Sequence, residues 1–482
     1  MRVWFVTAAV AAGTGWGCGR TVPGPFLLLL LAGGVLATAR GTRLHTATGV
    51  MVCSFAVATL GASLRCDQPS ALSELSKNVP TCELRGAVLE HSGGLGTLVS
   101  ADLLDCGGSM VFEDMGPVMM EGTVGQPGGT VVARGLLAPL RDDPFDMARR
   151  RLGARTMLHA RDVTTALHSG GPHLVATRVR VGLTRSTDGL EGSTGALLRG
   201  LTIGDTFDLE ERLLGLFRRA GLSHLLAVSG SNVAVVLASV GFLLRRFALI
   251  TRLLLAAGAL CLFVLIVGPE PSVLRAATMG GIGLAALAWG ERPEPLQALG
   301  LALGVLLLIR PGLLYSVGLH LSAAATAGIV LWADPLARKL RVLPRPVALA
   351  LGATLAAQFA VAPIVLGVFG EASLAAPLAN LLAFPAVPPA TVLGLAAGAA
   401  GAFSTPVGAA CAQIASPFVR WILVVGETLG EPQWASLEVG HTWGWYAAAP
   451  VLAAVVRTLA RRNARPILAP GGGRDAAGSL PR

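Results

Sequence analysis

The chain reads as a polytopic α-helical membrane protein, with a small β domain set between two groups of helices. Three observations carry that reading. Of its 482 residues, 53% are hydrophobic and 14% are charged, whereas about a quarter of a soluble domain is charged. Apolar runs of roughly 15 to 25 residues, long enough to cross a bilayer, recur before Leu64 and after Gly200. Between them, residues 66–200 are more polar and are interrupted by glycine.

The apolar stretches 3–19, 24–39 and 48–64 make residues 1–65 a domain of N-terminal transmembrane helices. Met1–Arg2 ahead of VWFVTAAVAAG also has signal-peptide character, but two further apolar runs follow closely and favour an uncleaved helix. In residues 66–200, segments such as TCELRGAVLEH, LGTLVSADLLD and TVVARGLLAPL are short and partly β-branched, and glycine-rich breaks separate them. Such spacing predicts a small β-sandwich or barrel. The stretch RDDPFDMARRRLGAR is read as an exposed loop or short helix.

Residues 201–221 place Leu209, Leu213, Leu214 and Phe217 opposite Glu210, Glu211, Arg218 and Arg219 at helical spacing. That pattern predicts an amphipathic helix lying on the membrane surface. Residues 222–460 form the main transmembrane domain. Its apolar segments lie near 222–244, 253–267, 273–290, 296–309, 313–333, 347–369, 380–402, 407–426 and 443–459. With the N-terminal three, about twelve crossings are expected, several of them broken. Residues 461–482 are a flexible tail.

Of the cationic side chains, Lys77 and Lys339 are the only lysines, so the net charge of +10 is almost wholly arginine. In a membrane protein such an excess reports orientation before it reports a polyanionic partner. Arg245, Arg246 and Arg252 share one connection, Arg338, Lys339, Arg341 and Arg345 another, and Arg457, Arg461, Arg462 and Arg465 follow the last crossing. The alternate connections carry Glu270, Glu371, Glu427, Glu431 and Glu438 instead. By the positive-inside bias the basic connections are cytoplasmic. Both termini are then cytoplasmic and residues 66–221 extracytoplasmic; Arg2, Arg40 and Arg43 agree, while Arg20 and Arg310 are exceptions.

Seven cysteines divide by environment. Cys18, Cys53, Cys261 and Cys411 sit in or beside apolar runs, where cysteine packs as a small hydrophobe. Cys66, Cys82 and Cys106 fall in the polar block, outside the membrane, where a disulfide is chemically reasonable. Three cysteines allow one bridge there, and Cys82 with Cys106 is the pairing preferred. No spacing matches a zinc site, and no metal or cofactor is expected.

The most informative stretch is GLSHLLAVSGSNVAVV, residues 221–236, which puts His224, Ser229, Ser231, Asn232 and Gly230 into an apolar segment. Polar groups persist at membrane depth where they face protein or a water-filled path. Other segments are also interrupted: PEPSVLRAATMGG carries Arg275, VGLHLSAAATAG carries His320 and Ser322, and LAAPLANLLAFPAVPPATV carries Asn380 and Pro385. Broken helices expose backbone dipoles to a cargo. Each group also has a plain structural role available. Ser229 and Ser231 back-bond to a carbonyl one turn earlier, Arg275 snorkels to headgroups, Asn380 ties two helices, and His320 is a satisfied core histidine.

His224 and Ser229 also raise a second function class, a membrane-embedded enzyme acting on a lipid-linked or envelope substrate. Their spacing exceeds one helical turn, and no aspartate stands near to orient the histidine as a triad needs. HExxH and P-loop patterns are absent from the sequence. A channel or transport protein is therefore expected rather than an enzyme.

The ordered motifs LTIGDTFDL, AGLSHLLAVSGSNVAVV, PSVLRAATMGG, RPGLLYSVGLHLSAAATAGIVLW and QFAVAPIVLGVFGEASLAAPLANLLAFPAV cover about residues 200–460. They resemble the competence-protein (ComEC) family, the inner-membrane channels for DNA uptake in naturally transformable bacteria. The resemblance implies that single-stranded DNA crosses into the cytoplasm through the helical domain. It also implies that the polar block is an extracytoplasmic OB-like domain. His224, Ser229, Gly230, Asn232, Arg275, Asn380 and Pro385 fall on the family's motifs as channel-lining candidates, with no chemical step assigned. Asn232 stands where many members have histidine. Many members continue into a metallo-β-lactamase-like domain; the tail RRNARPILAPGGGRDAAGSLPR is too short for that fold, so a nuclease is expected to be a separate protein.

A DNA cargo is chemically compatible with the polar block. Arg134, Arg149, Arg150, Arg151 and Arg155 are DNA-binding candidates, and Arg178, Arg180 and Arg185 extend the basic surface. Phe112 and Phe145 are nearly its whole aromatic supply, which predicts electrostatic, salt-sensitive binding rather than base stacking. The expected partners are single-stranded DNA, membrane lipids and separate DNA-capture, nuclease and motor proteins. Homo-oligomerisation is left open.

Overall fold

The computed structural model describes residues 81–91, 96–106, 111–121, 130–140, 154, 156–166, 171–206, 208–226, 228–291, 294–310, 313–314, 316–439, 446–451, 453–455 and 458. The expected helices of residues 1–65, the candidates Arg149, Arg150, Arg151 and Arg155, and the tail 461–482 lie outside these residues.

Five strands close into a barrel: β1 (Thr81–His91), β2 (Thr97–Asp105), β3 (Val111–Met120), β4 (Thr130–Pro139) and β5 (Thr156–Ala166), in the order β1-β2-β3-β5-β4. Neighbours are antiparallel except β3 and β5, which run parallel. Alternation produces the closure. In β4, Val131, Ala133 and Leu137 turn inward, meeting Leu84, Val88, Val99, Leu104, Val118, Met120 and Leu158. Arg134 turns outward, where it bonds Glu83 at 3.2 Å.

Register shifts fall between Arg85 and Gly86 and between Arg134 and Gly135. A Cβ at either glycine would collide with the backbone of the adjoining strand, at Ser100 and His159. Glycine at these bulges lets the strands coil tightly enough to close.

A disulfide joins Cys82 to Cys106, 24 residues apart, and ties the start of β1 to the end of β2. Loop-closure entropy gives such a bond about 3 kcal/mol. The full chain carrying Cys82→Ala and Cys106→Ala is expected to lose that stability in the barrel. Limited proteolysis within residues 81–166 reads it, and equal cleavage rates with and without the bond would refute the estimate.

Two helices, α1 (Gly171–Thr187) and α2 (Thr194–Ile203), follow the barrel. They occupy residues expected to belong to the β domain, yet they pack into the helical core. Leu183, Leu197 and Leu198 share a cluster with Ala390, Ala397, Ala412 and Val419. Gly182 and Ser186 of α1 meet Gly398, Gly401 and Gly408 with almost no space between backbones, the close approach that small residues allow in membranes. Arg180 is correspondingly not on a DNA-facing surface: it is buried, and its Nε donates to the Ile266 carbonyl.

The amphipathic helix expected over residues 201–221 is instead the end of α2, a loop, and α3 (Glu211–Arg219). Gly204 breaks the helix by adopting φ +77°. Leu213 and Phe217 of α3 are buried, and Phe217 packs where a Cβ at Gly426 would stand. Arg219 donates to the carbonyls of Glu431 and Pro432 at 2.9 and 2.6 Å. The apolar stripe of α3 thus covers protein, not lipid.

Then come α4 (Ser223–Leu226), α5 (Gly230–Leu243), α6 (Leu249–Val267), α7 (Pro271–Ala288), α8 (Pro295–Ile309), α9 (Val317–Lys339) and α10 (Arg345–Phe369). After a short strand β6 (Glu371–Ser373) follow α11 (Ala376–Ala383), α12 (Val387–Gly401), α13 (Thr405–Gly430) and β7 (Ser436–Glu438), which pairs with β6. Among the described residues, α6, α7, α9, α10 and α13 are long and apolar enough to cross a membrane. The pair α11 and α12, bent by 53°, makes a sixth if counted as one span.

About twelve crossings were expected. The three N-terminal ones lie outside the described residues, and the last is described only in part. The helices α5 and α8 have 14 and 15 residues. At 1.5 Å per residue each is about 21–23 Å long, short of a hydrocarbon core of about 30 Å. The candidate spans leave large apolar side chains such as Leu254, Phe359, Ile414 and Val424 exposed, as a surface bathed in acyl chains requires. This is a membrane protein.

Candidate functional site

The segment singled out in the sequence is where the helical path breaks. Ser229 has an extended backbone, with φ −104° and ψ 168°, and stands directly before α5. The first amides of a helix have no acceptor within it. Here the Asn232 amide finds the Ser229 carbonyl at 3.1 Å. The Ser229 and Ser231 hydroxyls bond each other at 2.5 Å, and both stand 3.5 Å from Asn232 Oδ1. Asn232 itself is 3% exposed and donates from Nδ2 to the Leu201 carbonyl at 2.8 Å. That bond fastens the start of α5 to the end of α2.

From the other side comes α7. Pro271 opens that helix, suited to a position whose N–H would be unpaired. Ser272 Oγ donates to the Val228 carbonyl at 2.9 Å, holding α7 against the residue before the break. One turn on, Arg275 is 5% exposed. Its Nε donates to Ser322 Oγ of α9 at 2.9 Å, and its Nη1 approaches Met279 Sδ at 3.2 Å. Its Nη2 lies against α5, since a Cβ at Gly230 would stand 2.5 Å away. Among the described residues no carboxylate pairs with this guanidinium.

The structure therefore brings together Ser229, Gly230, Ser231, Asn232 and Arg275, and adds Ser322. The other candidates stand elsewhere. His224 is exposed on the four-residue helix α4. Asn380 Nδ2 donates to the Ala376 carbonyl of its own helix at 2.8 Å, rather than tying two helices. Pro385 is exposed at the bend between α11 and α12. His320 is exposed on α9, so it is not a core histidine.

A second polar group joins α1 and α2. Arg199 is buried, donates to Thr187 Oγ1 at 2.8 Å and pairs with Asp208. The sequence reading missed it because Arg199 lies in a stretch taken for the β domain. The signal available was an arginine nine residues before an aspartate in the LTIGDTFDL motif.

Five helices long and apolar enough to cross a membrane, or six with the bent pair, and a polar break before α5 place the chain in the class of helical membrane proteins. A family model described as "Competence protein" matches residues 201–463, more than half of the chain, and the chain belongs to that family. It is similar to the "ComE operon protein 3" of Bacillus subtilis (strain 168), with 37% identity over 142 residues, 29% of this chain and 18% of that protein. It is also similar to the "Uncharacterized protein YcaI" of Escherichia coli (strain K12), with 27% identity over 212 residues, 40% of this chain and 27% of that protein. The chain thus spans about a fifth to a quarter of the length of these relatives. No solved structure matches.

Proposed function

We propose that this protein is an inner-membrane channel that passes single-stranded DNA into the cytoplasm during natural transformation. The observation that carries the reading is the polar junction of Ser229, Asn232, Arg275 and Ser322 inside an otherwise apolar helical domain. Membership of the competence family and likeness to a protein named for a competence operon support it. A buried guanidinium without a carboxylate partner is costly unless it serves a route or a ligand.

The barrel supports an OB-like reading of the β domain. Its order β1-β2-β3-β5-β4 with one parallel pair, β3 with β5, fits a five-stranded Greek-key barrel. In this scheme the barrel stands outside the membrane, both termini are cytoplasmic, and separate DNA-capture, nuclease and motor proteins act with the channel.

The enzyme alternative draws no support from the geometry. The hydrogen bonds of Ser229 Oγ go to Ser231 and Asn232, not to His224.

Deleting the gene and supplying labelled duplex DNA tests the proposal. The expected result is loss of nuclease-protected label from the cytoplasm, restored by the intact gene. Undiminished internalised label in the deletion strain would overturn it.

A further inference from the structure

We propose that the start of α5 and the Arg275 side chain form a binding site for a single phosphate group, which the channel uses to hold the backbone of its cargo. The inference rests on the DNA-uptake reading and names the chemistry of that same junction.

Two positive features meet here. The N-terminus of α5, a helix of 14 residues, carries the partial positive charge of its aligned peptide dipoles. The Arg275 guanidinium lies directly against it, at Gly230. Side by side without an anion they repel, so the protein holds apart energy that a ligand of opposite sign would recover. Arg275 is 5% exposed. Its Nε and Nη1 are taken by neutral partners, Ser322 and Met279, while Nη2 has no acceptor among the described residues.

The donors around this point suit a tetrahedral oxyanion. The amides of Gly230 and Ser231 open the helix and Nη2 faces the same turn, while the hydroxyls of Ser229 and Ser231 bond each other and Asn232 Oδ1. Helix N-termini and guanidinium groups are the recurring elements of phosphate recognition. Ser231 is exposed, so the site is reachable from outside the protein core. A Cβ at Gly230 would push the guanidinium aside from the helix start. Such a site reads charge and not base identity, as a sequence-independent route demands.

Phosphodiester phosphate also occurs in lipid headgroups, so the test has two arms. The full chain in a maltoside detergent is titrated with labelled oligothymidylate across a salt series, and separately with short-chain phosphatidylglycerol. For single strands the slope of log affinity against log salt is about 0.7 per phosphate neutralised. Arg275→Gln is expected to weaken oligonucleotide binding about tenfold and to flatten the slope by about 0.7, while Arg275→Lys retains the slope. Gly230→Ala, which keeps the charge and favours helix, is expected to weaken binding too and covers the case in which Arg275→Gln fails to fold.

If only the phosphatidylglycerol arm depends on Arg275 and Gly230, the phosphate site stands with lipid as its source and the DNA route fails. If the oligonucleotide binds but neither substitution changes its affinity or slope, the site is overturned while the DNA route survives. If neither ligand responds to either substitution, the site is overturned outright.

Discussion

Asn232→Leu is expected to reduce DNA uptake to the level of a strain lacking the gene, although leucine suits a helix and has the same number and branching of side-chain heavy atoms as asparagine. The Asn232 side chain is buried and its Nδ2 is the donor to the Leu201 carbonyl. Leucine leaves that carbonyl without its partner, which costs about 1–3 kcal/mol. It also frees the start of α5 from α2 and with it the position of Ser229 and Gly230 beside Arg275. Asn232→Asp is the isosteric control: it keeps the shape and removes the donor, so it is expected to fail as well. The measurement is transformation frequency alongside membrane abundance of the variant. Normal frequency at normal abundance would show that this tether does not organise the junction.

Gly182→Leu is expected to have the largest effect on folding. A Cβ at Gly182 would press on the backbone of Gly398, Gly401 and Ala402 at once. These are main-chain atoms of α12 and its end, which cannot rotate aside as a side chain can. Overpacking in a closed interface costs typically about 1–3 kcal/mol and more when backbone must shift, and four added carbons place this case at the upper end. Gly189 has nothing within contact distance of an added Cβ, so Gly189→Ala is expected to stay within about 0.5 kcal/mol of the parent. Thermal unfolding of the purified full chain compares them. Similar melting of Gly182→Leu and the parent would mean that α1 does not lie in this seam.

The fold was legible wherever local pattern decides it. A short, partly β-branched segment after a glycine-rich break, TVVARGLLAP, marks β4, and its burial alternates because one face of the strand must be apolar for the barrel to close. Apolar length marks α6, α9, α10 and α13, because hydrocarbon admits no unpaired backbone. Residues 171–203 misled for an equally physical reason. Their arginines and hydroxyls read as a solvated surface, but Arg180, Thr187, Thr202 and Arg199 are buried in the helical domain with carbonyl, hydroxyl and carboxylate partners. The stripe of α3 misled because an apolar helix face has the same pattern whether it meets lipid or the glycines of α13.

The candidate site divides in the same way. Ser229, Gly230, Asn232 and Arg275 could be picked from the chain alone, since polar groups in apolar segments are rare and costly. Their partners could not. Ser322 lies 47 residues from Arg275, and Leu201 lies 31 from Asn232; a backbone carbonyl leaves no trace in residue identity at all. His224, Asn380 and Pro385 are equivalent by residue type and spacing, yet packing directs them elsewhere. Residue type and spacing mark which segments are apolar enough for a membrane and which atoms are too polar to be left unpaired there. Which of those atoms meet depends on how helices distant along the chain cross, and that follows from close contacts between small residues that only a folded chain makes.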